Sequence, residues 1–205
     1  MIIAVDGPAA SGKGTLARRL ASHFGFHYLD TGSLYRAVAL AVLKQGAVPS
    51  DAKAAEIAAA SLILPDRDDP ALRSEAVSAA ASMVAAFPQV RAHVLEYQRK
   101  FAATLPGTVL DGRDIGTVVC PQAHVKLFVT AKPEVRACRR LLERQAQGEQ
   151  LDYDELLADI RARDARDMNR AIAPLKPATD ARLLDTSDLD IETAFQAALR
   201  LIEGS

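Results

Sequence analysis

The residues Gly7, Pro8, Ala9, Ala10, Ser11, Gly12, Lys13, Gly14 and Thr15 follow directly on the apolar run Ile2, Ile3, Ala4 and Val5. A strand that runs into a glycine-rich loop and continues as a helix is held to one local structure, a cradle of backbone N–H groups open to phosphate oxygens. Gly7, Gly12 and Gly14 permit the tight turn and close backbone approach, and Lys13 adds a positive charge. Beyond Lys13 the apolar residues Leu16, Leu20 and Phe24 recur at helical spacing. This predicts a helix anchored on a sheet, with its positive dipole end facing the same anions. The pattern is G-x-x-x-x-G-K followed by Gly14 and then Thr15, so the hydroxyl stands one residue later than in the commonest phosphate loop. That hydroxyl has two readings, an approach to a phosphate or a magnesium ion and a bond to its own helix backbone. A nucleotide is the first ligand to expect.

The rest of the chain alternates short apolar runs with helical patterns. Strands are expected at Ile2 to Val5, His27 to Leu29, Thr108 to Leu110, Val125 to Val129 and Arg182 to Leu184. Helices are expected at Lys13 to Phe24, Ser33 to Gln45, Ala52 to Ala60, Glu75 to Ala86, Val90 to Ala103, Pro133 to Gln147, Tyr153 to Met168 and Ile191 to Ile202. The alternation implies an α/β fold, a central parallel five-stranded sheet covered by helices on both faces. Between the second and third strands lies a long Ala-rich stretch without a convincing strand, which reads as a helical insert in a single domain. Pro65 to Pro70, reading PDRDDP, breaks the helical pattern and is expected to be an exposed connector without chemistry.

At 205 residues and 49% hydrophobic content the chain can fill one core, and a net charge of -1 with no Trp disfavours a nucleic-acid partner. Cys120 and Cys138 stand apart, without a C-x-x-C pair or clustered histidines, so neither a disulfide framework nor a zinc site is indicated. A reducing cytoplasm is the expected setting. The N-terminal apolar run is too short to span a membrane and lacks the flanks of a signal peptide. The four histidines are scattered and read as surface or packing residues.

Three further segments carry chemistry. Asp30-Thr31-Gly32-Ser33-Leu34-Tyr35-Arg36 places a hydroxyl, an aromatic ring and a guanidinium at a helix start, which in isolation is only a good N-cap. Asp111-Gly112-Arg113-Asp114 closes the third strand, where ligands bind in open parallel sheets, and a strand-end turn explains the Asp and Gly but not an exposed Arg. Arg161, Arg163, Arg166 and Arg170 interleave with Asp159, Asp164 and Asp167 on a helix whose apolar stripe fades after Ile160. Arg163, Asp167 and Arg170 fall at i, i+4 and i+7 and share one face. A solvated, ion-paired face is the ordinary reading of such a run, but beside a phosphate loop an arginine face suits phosphoryl transfer, which depends on positioning and on cations around the moving group.

The segments GPAASGKGT, DTGSLYR, SMVAAFPQVR, DGRDIGTVVCP and RARDARDMNRAIAPL, in that order across nearly the whole chain, resemble the bacterial cytidylate kinase family. The resemblance implies a P-loop kinase core with a monophosphate-binding insert at approximately 46–105 and a short lid at approximately 148–175. It implies transfer from ATP, carried with Mg2+, to CMP or dCMP. It places the ATP phosphates on Gly7 to Thr15, with Lys13, Arg113, Arg163 and Arg170 as the catalytic cations. The acceptor's phosphate falls to Arg36, Arg113 and Arg170, its base edge to Thr31, Arg91 and Asp114, and its sugar to Ser82, Arg163 and Asp167, with Tyr35 in the same pocket. Asp6 and Asp111 end strands beside the loop and either hold magnesium through water or cap a turn; no metal ligand is assigned. One departure is that the stretch between Gly46 and Arg73 is short and lacks the strands that form a small sheet in many bacterial members, so the insert is expected to be mainly helical. No membrane or nucleic-acid partner is expected, and the chain is expected to act as a monomer. The alternatives are a kinase of the same architecture for UMP, AMP or shikimate, and a nucleotide-binding regulatory module without turnover.

Overall fold

A computed structural model describes residues 1–62, 69–146 and 148–204. Five strands, β1 (Ile2–Asp6), β2 (His27–Asp30), β3 (Thr108–Gly112), β4 (Val125–Thr130) and β5 (Arg182–Asp185), form one sheet in the order β2-β3-β1-β4-β5. β1 pairs parallel with β3 and with β4, and β4 pairs parallel with β5. The central strand is therefore the one that feeds the glycine-rich loop, and the loop sits at its carboxyl end, where open α/β sheets bind ligands. Each strand lies within a residue or two of its sequence-based position.

Two compact units divide the chain. The first comprises Met1–Leu29 and Thr104–Ser205. Its core joins Ile3, Val5, Val109, Leu127 and Val129 of the sheet to Leu16 and Leu20 of α1 (Lys13–Phe24) and to Phe195, Leu199 and Ile202 of α8 (Ile191–Glu203). Burial of both sheet faces explains why these strands read as continuous apolar runs instead of alternating ones. The unit also carries α6 (Pro133–Gln145) and α7 (Tyr153–Met168). A π-helical turn at Ile115–Val119, which no sequence period announces, follows β3.

The second unit, Asp30–Ala103, is helical. It contains α2 (Thr31–Lys44), α3 (Ala52–Ala60), a 3₁₀ turn at Pro70–Arg73, α4 (Glu75–Val84) and α5 (Pro88–Ala102). Its core pairs branched residues with alanines, among them Leu34, Val38, Ala58, Ala81, Val84, Val90 and Val94. Asp51 caps α3 by accepting the N–H groups of Lys53 and Ala54, and Ser74 caps α4 through the N–H of Val77. The described part of 46–73 holds α3 and the 3₁₀ turn and no strand, in line with a helical insert. Of the PDRDDP connector, residues 65–68 lie outside the described residues, and Asp69 caps the 3₁₀ turn on Ala71.

α5 begins at Pro88, where the missing N–H costs nothing, instead of at Val90. α4 stops at Val84, two residues short of its sequence-based end. α6 ends at Gln145, and Gln147 lies outside the described residues. Three of the four histidines serve packing and backbone bonding: His124 Nδ1 accepts from Ile2 N, His27 Nε2 bonds with the Leu105 carbonyl, and His23 packs edge-on to Phe24 and Phe195.

Candidate active site

Gly7 leaves β1 with its amide bonded to the Gly112 carbonyl, and a Cβ built on it lies 2.0 Å from the Val129 carbonyl oxygen. No side chain fits there. Ala10 and Gly12 both turn left-handed, at φ 58° and 85°, and Gly12 is the N-cap of α1 with no side-chain cap. The loop thus hands its first-turn N–H groups to whatever anion occupies it. Ser11 is fully buried, and its Oγ has no hydrogen-bond partner among the described residues.

Three buried aspartates stand at the loop's flanks, Asp6, Asp111 and Asp114. Asp6 accepts the N–H groups of Ile115 at 2.8 Å and Gly116 at 2.7 Å, so both carboxylate oxygens cap the π-helical turn. Burial pushes its carboxyl up to about 6; the charge of Asp114 adds to the rise, while the two backbone donors and Lys13 work against it. Asp111 Oδ2 lies 3.0 Å from the point a Cβ on Gly14 would occupy, which puts it beside the first turn of α1. Among the described residues no group of three His, Cys, Asp or Glu side chains is arranged to hold a metal ion.

α7 buries Leu156, Ile160, Asp164 and Asp167 along one stripe. The buried face does not fade after Ile160, as its apolar residues suggested; it continues as carboxylates. Asp167 receives Arg113 Nε at 2.9 Å, so Arg113 is half-buried and paired, not the exposed residue the strand-end motif suggested. Burial raises the Asp167 pKa, but the charges of Arg113, Arg163 and Arg170 outweigh it and hold the carboxyl below its ordinary value. The structure therefore brings four of the sequence-predicted residues to one point. Arg170 Nη2 also donates to the Ala173 carbonyl, and Leu175 N to the Asp167 carbonyl, which fixes the chain leaving the helix.

Because the folded-state pKa of Asp167 is depressed, its charge stabilises the fold above the ordinary carboxylate value of 3.8, and that contribution is lost as pH falls through the lower folded value. Asp167→Asn keeps the shape and removes the charge. The stability gap between the protein and this variant, measured by urea denaturation, is expected to be full near neutrality and to close under acid. A gap independent of pH contradicts the charge's role.

Asp164 was not singled out by sequence, nor was Arg136, and the two form a buried pair. Arg136 Nη1 and Nη2 both reach the Asp164 carboxylate, Nε donates to the Ala131 carbonyl at 2.8 Å, and Nη1 also donates to the Ala9 carbonyl at 3.1 Å. One guanidinium thus ties α7 to the phosphate loop. Removing one partner leaves a buried charge, so Asp164→Ala is expected to lose about 3 kcal/mol of stability in denaturant titration. A loss below about 1 kcal/mol would mark the pair as dispensable.

In the second unit, Asp30 takes the N-cap position of α2 but makes no side-chain cap bond; its Oδ2 pairs with Arg36 Nη2 at 2.5 Å. The segment is more than a helix cap, since it spends its carboxylate on fixing a guanidinium. Arg91 is buried, donates to the Ala85 carbonyl at 3.2 Å and lies 5.5 Å from the Tyr35 ring centroid. Thr31, Tyr35 and Ser82 are buried as well. Arg91 is therefore not a surface side chain at the start of α5, and the burial of Ser82 on α4 suits packing as well as binding.

A phosphate loop at the carboxyl end of a central parallel strand, with a half-buried cluster of arginines around a buried aspartate in the same unit, defines a P-loop phosphotransferase. A family model described as cytidylate kinase matches residues 3–204, and the chain belongs to that family. It is 62% identical to the cytidylate kinase of Rhodopseudomonas palustris over 99% of this chain and 96% of that protein. It is 60% identical to the cytidylate kinase of Methylocella silvestris over 100% of this chain and 95% of that one. Among solved structures, an uncharacterised protein from Eubacterium ventriosum aligns over 100% of this chain and 99% of its own with a TM-score of 0.57 at 14% identity. The protein TT1252 from Thermus thermophilus aligns over 100% and 96% with a TM-score of 0.51 at 21% identity. Both share the fold.

Proposed function

We propose that this chain transfers the γ-phosphoryl group of ATP to CMP or dCMP, giving ADP and CDP or dCDP. The observation that carries the reading is the convergence of Arg113, Arg163 and Arg170 on Asp167, in the unit that also carries the phosphate loop. Phosphoryl transfer gathers negative charge on donor, acceptor and moving group, and catalysis consists largely of positioning those charges against fixed cations. Asp167 holds three arginines together before substrate arrives, which removes much of their reorganisation. The acceptor's phosphate has a second pKa of about 6 and is mostly a dianion at neutral pH, so no general base is required.

In this reading the N–H groups of Gly7 to Thr15 bind the ATP phosphates, and Lys13 neutralises charge on the transferring group. Arg36, Arg113 and Arg170 bind the acceptor's phosphate. Thr31 and Asp114 accept from the exocyclic amine of cytosine, Arg91 donates to its N3 and O2, and Ser82, Arg163 and Asp167 bind the sugar, with Tyr35 supporting Arg91. Uracil presents a carbonyl where cytosine presents the amine, so Asp114 rejects it. Closure of 148–175 excludes water and suppresses wasteful hydrolysis. The protein acts as a monomer in the cytoplasm. No described helix is long and apolar enough to cross a membrane.

Magnesium, carried with ATP, would supply charge neutralisation at the phosphates. The donors on hand fit an ion that keeps most of its water and phosphate ligands: Thr15 is exposed on the first turn of α1, and Asp111 lies beside Gly14. Thr15 would hold it, with Asp111 acting through water, whereas Asp6 has both oxygens engaged.

ADP release from Mg-ATP, measured against CMP, dCMP, UMP, AMP, GMP and shikimate, is expected to be fastest with the two cytidylates. A preference for AMP or shikimate would keep the phosphate loop and sink the pocket, and silence with every acceptor would indicate a binding module.

A further inference from the structure

Two loop carbonyls flank the left-handed Ala10, and both are held from outside the loop. Arg136 takes the Ala9 oxygen, as described. The Ser11 oxygen accepts from Thr186 Oγ1 at 3.0 Å. Thr186 is buried and stands just past the end of β5. Its hydroxyl has one proton and two carbonyls in range, Ser11 at 3.0 Å and Thr130 at 3.1 Å. The Thr130 carbonyl already accepts the backbone N–H of Thr186 at 2.8 Å, so the Ser11 carbonyl gains more from the hydroxyl. Arg139 fixes the other side of that hydroxyl: its Nη1 donates to Oγ1 at 3.0 Å, and its Nη2 donates to the carbonyls of Thr186 at 2.6 Å and Leu189 at 3.3 Å. With one lone pair given to a guanidinium, the proton is directed to the carbonyl side.

A trans peptide is planar, with its C=O and the following N–H pointing in opposite directions. Holding the Ser11 carbonyl toward Thr186 therefore aims the Gly12 N–H the other way. An alanine at φ 58° needs such outside support, because the left-handed region is unfavourable for a residue with a Cβ. We propose that Thr186, oriented by Arg139, is a positioning residue for the phosphoryl donor: its hydroxyl sets the Ser11–Gly12 peptide so that the Gly12 N–H faces the ATP phosphates. The inference rests on the reading of the loop as the ATP site, and nothing in the sequence motifs pointed to residue 186.

The test compares Thr186→Val, which keeps the shape and loses the hydroxyl, with Thr186→Ser, which restores it. Mg-ATP affinity is measured by calorimetry, with KM for ATP, KM for CMP and thermal midpoint beside it. The expected result is a roughly tenfold weaker Kd and KM for ATP in Thr186→Val, an unchanged KM for CMP, and recovery in Thr186→Ser. Should Thr186→Val fail to fold, Thr186→Ala removes the hydroxyl without pressing a methyl group against two carbonyls and carries the same expectation. A lower thermal midpoint with unchanged ATP affinity overturns the proposal, as does an equal loss for ATP and CMP. If the unaltered protein binds no Mg-ATP, the ATP reading of the loop falls and this inference with it, a result distinct from normal binding in both the protein and the Val variant.

Discussion

Lys13→Ala is expected to lower turnover with CMP by roughly three orders of magnitude or more while leaving the thermal midpoint within a few degrees of the unaltered protein. The two halves of that result have separate causes. Lys13 is the first residue of α1 and is half-buried, and the core of its unit is made by Leu16, Leu20 and their sheet partners, which the substitution does not touch. Alanine is also a better helix former than most residues, so α1 does not suffer locally. What is lost is a cation fixed beside the phosphate cradle, in a site where charge is stabilised far more than in water. The loss should fall on kcat more than on KM for CMP, since the charge acts on the transferring group. Turnover within tenfold of the unaltered protein, measured by coupled ADP release, would remove Lys13 from the mechanism.

Gly7→Ala has a different basis and a comparably large effect. The added Cβ would sit 2.0 Å from the Val129 carbonyl oxygen, far inside van der Waals contact, and that oxygen belongs to the interior strand β4. Backbone held on both sides by strands cannot retreat as a flexible side chain can. The loop must move instead, and Gly7 is joined to the Gly112 carbonyl and packed against Ser11, so movement there propagates along the cradle. Loss of measurable Mg-ATP binding is expected, with destabilisation of about 3 kcal/mol or more in denaturant titration. A folded Gly7→Ala protein with normal ATP affinity would show that the close approach to β4 is not required. Gly25 is a useful contrast: it is left-handed at φ 66° with nothing within 4 Å of its Cβ position, so Gly25→Ala bears only backbone strain.

Periodicity made most of the fold legible. Short apolar runs separated by helical patterns predicted the five-stranded sheet, and α1, α3 and α7 have the bounds their sequence patterns indicate. The errors occur where a local rule competes with a wider pattern. A helix is expected from Val90, yet α5 starts at Pro88, because a proline suits the first helical turn. The π-helical turn at Ile115–Val119 has no period to announce it, and its cap comes from Asp6, more than a hundred residues away in the chain.

The candidate site divides along the same line. Motifs marked the phosphate loop and the grouping of Arg163, Asp167 and Arg170, although α7 ends at Met168 and Arg170 lies beyond it instead of on its face, and the charges between them read as a solvated helix surface. Asp164 could not be distinguished from Asp159 by spacing alone, because its burial depends on Arg136, a residue on another helix that interrupts no pattern. Buried ion pairs are invisible to hydropathy, which assigns both partners to solvent. The burial of Arg91 is hidden for the same reason. The Tyr35 ring and the Ala85 carbonyl make its burial possible, and neither is near it in an apolar pattern.

Following the phosphoryl group itself separates a cytidylate kinase from every alternative. The protein is incubated with magnesium and ATP labelled in the γ-phosphate, with CMP in one reaction and UMP in another, and the labelled products are separated by chromatography. Label is expected to move from ATP to CDP with CMP, with little reaching UDP, and Lys13→Ala is expected to abolish the CDP signal. Label released as inorganic phosphate, or transferred equally to the two acceptors, would contradict cytidylate kinase activity.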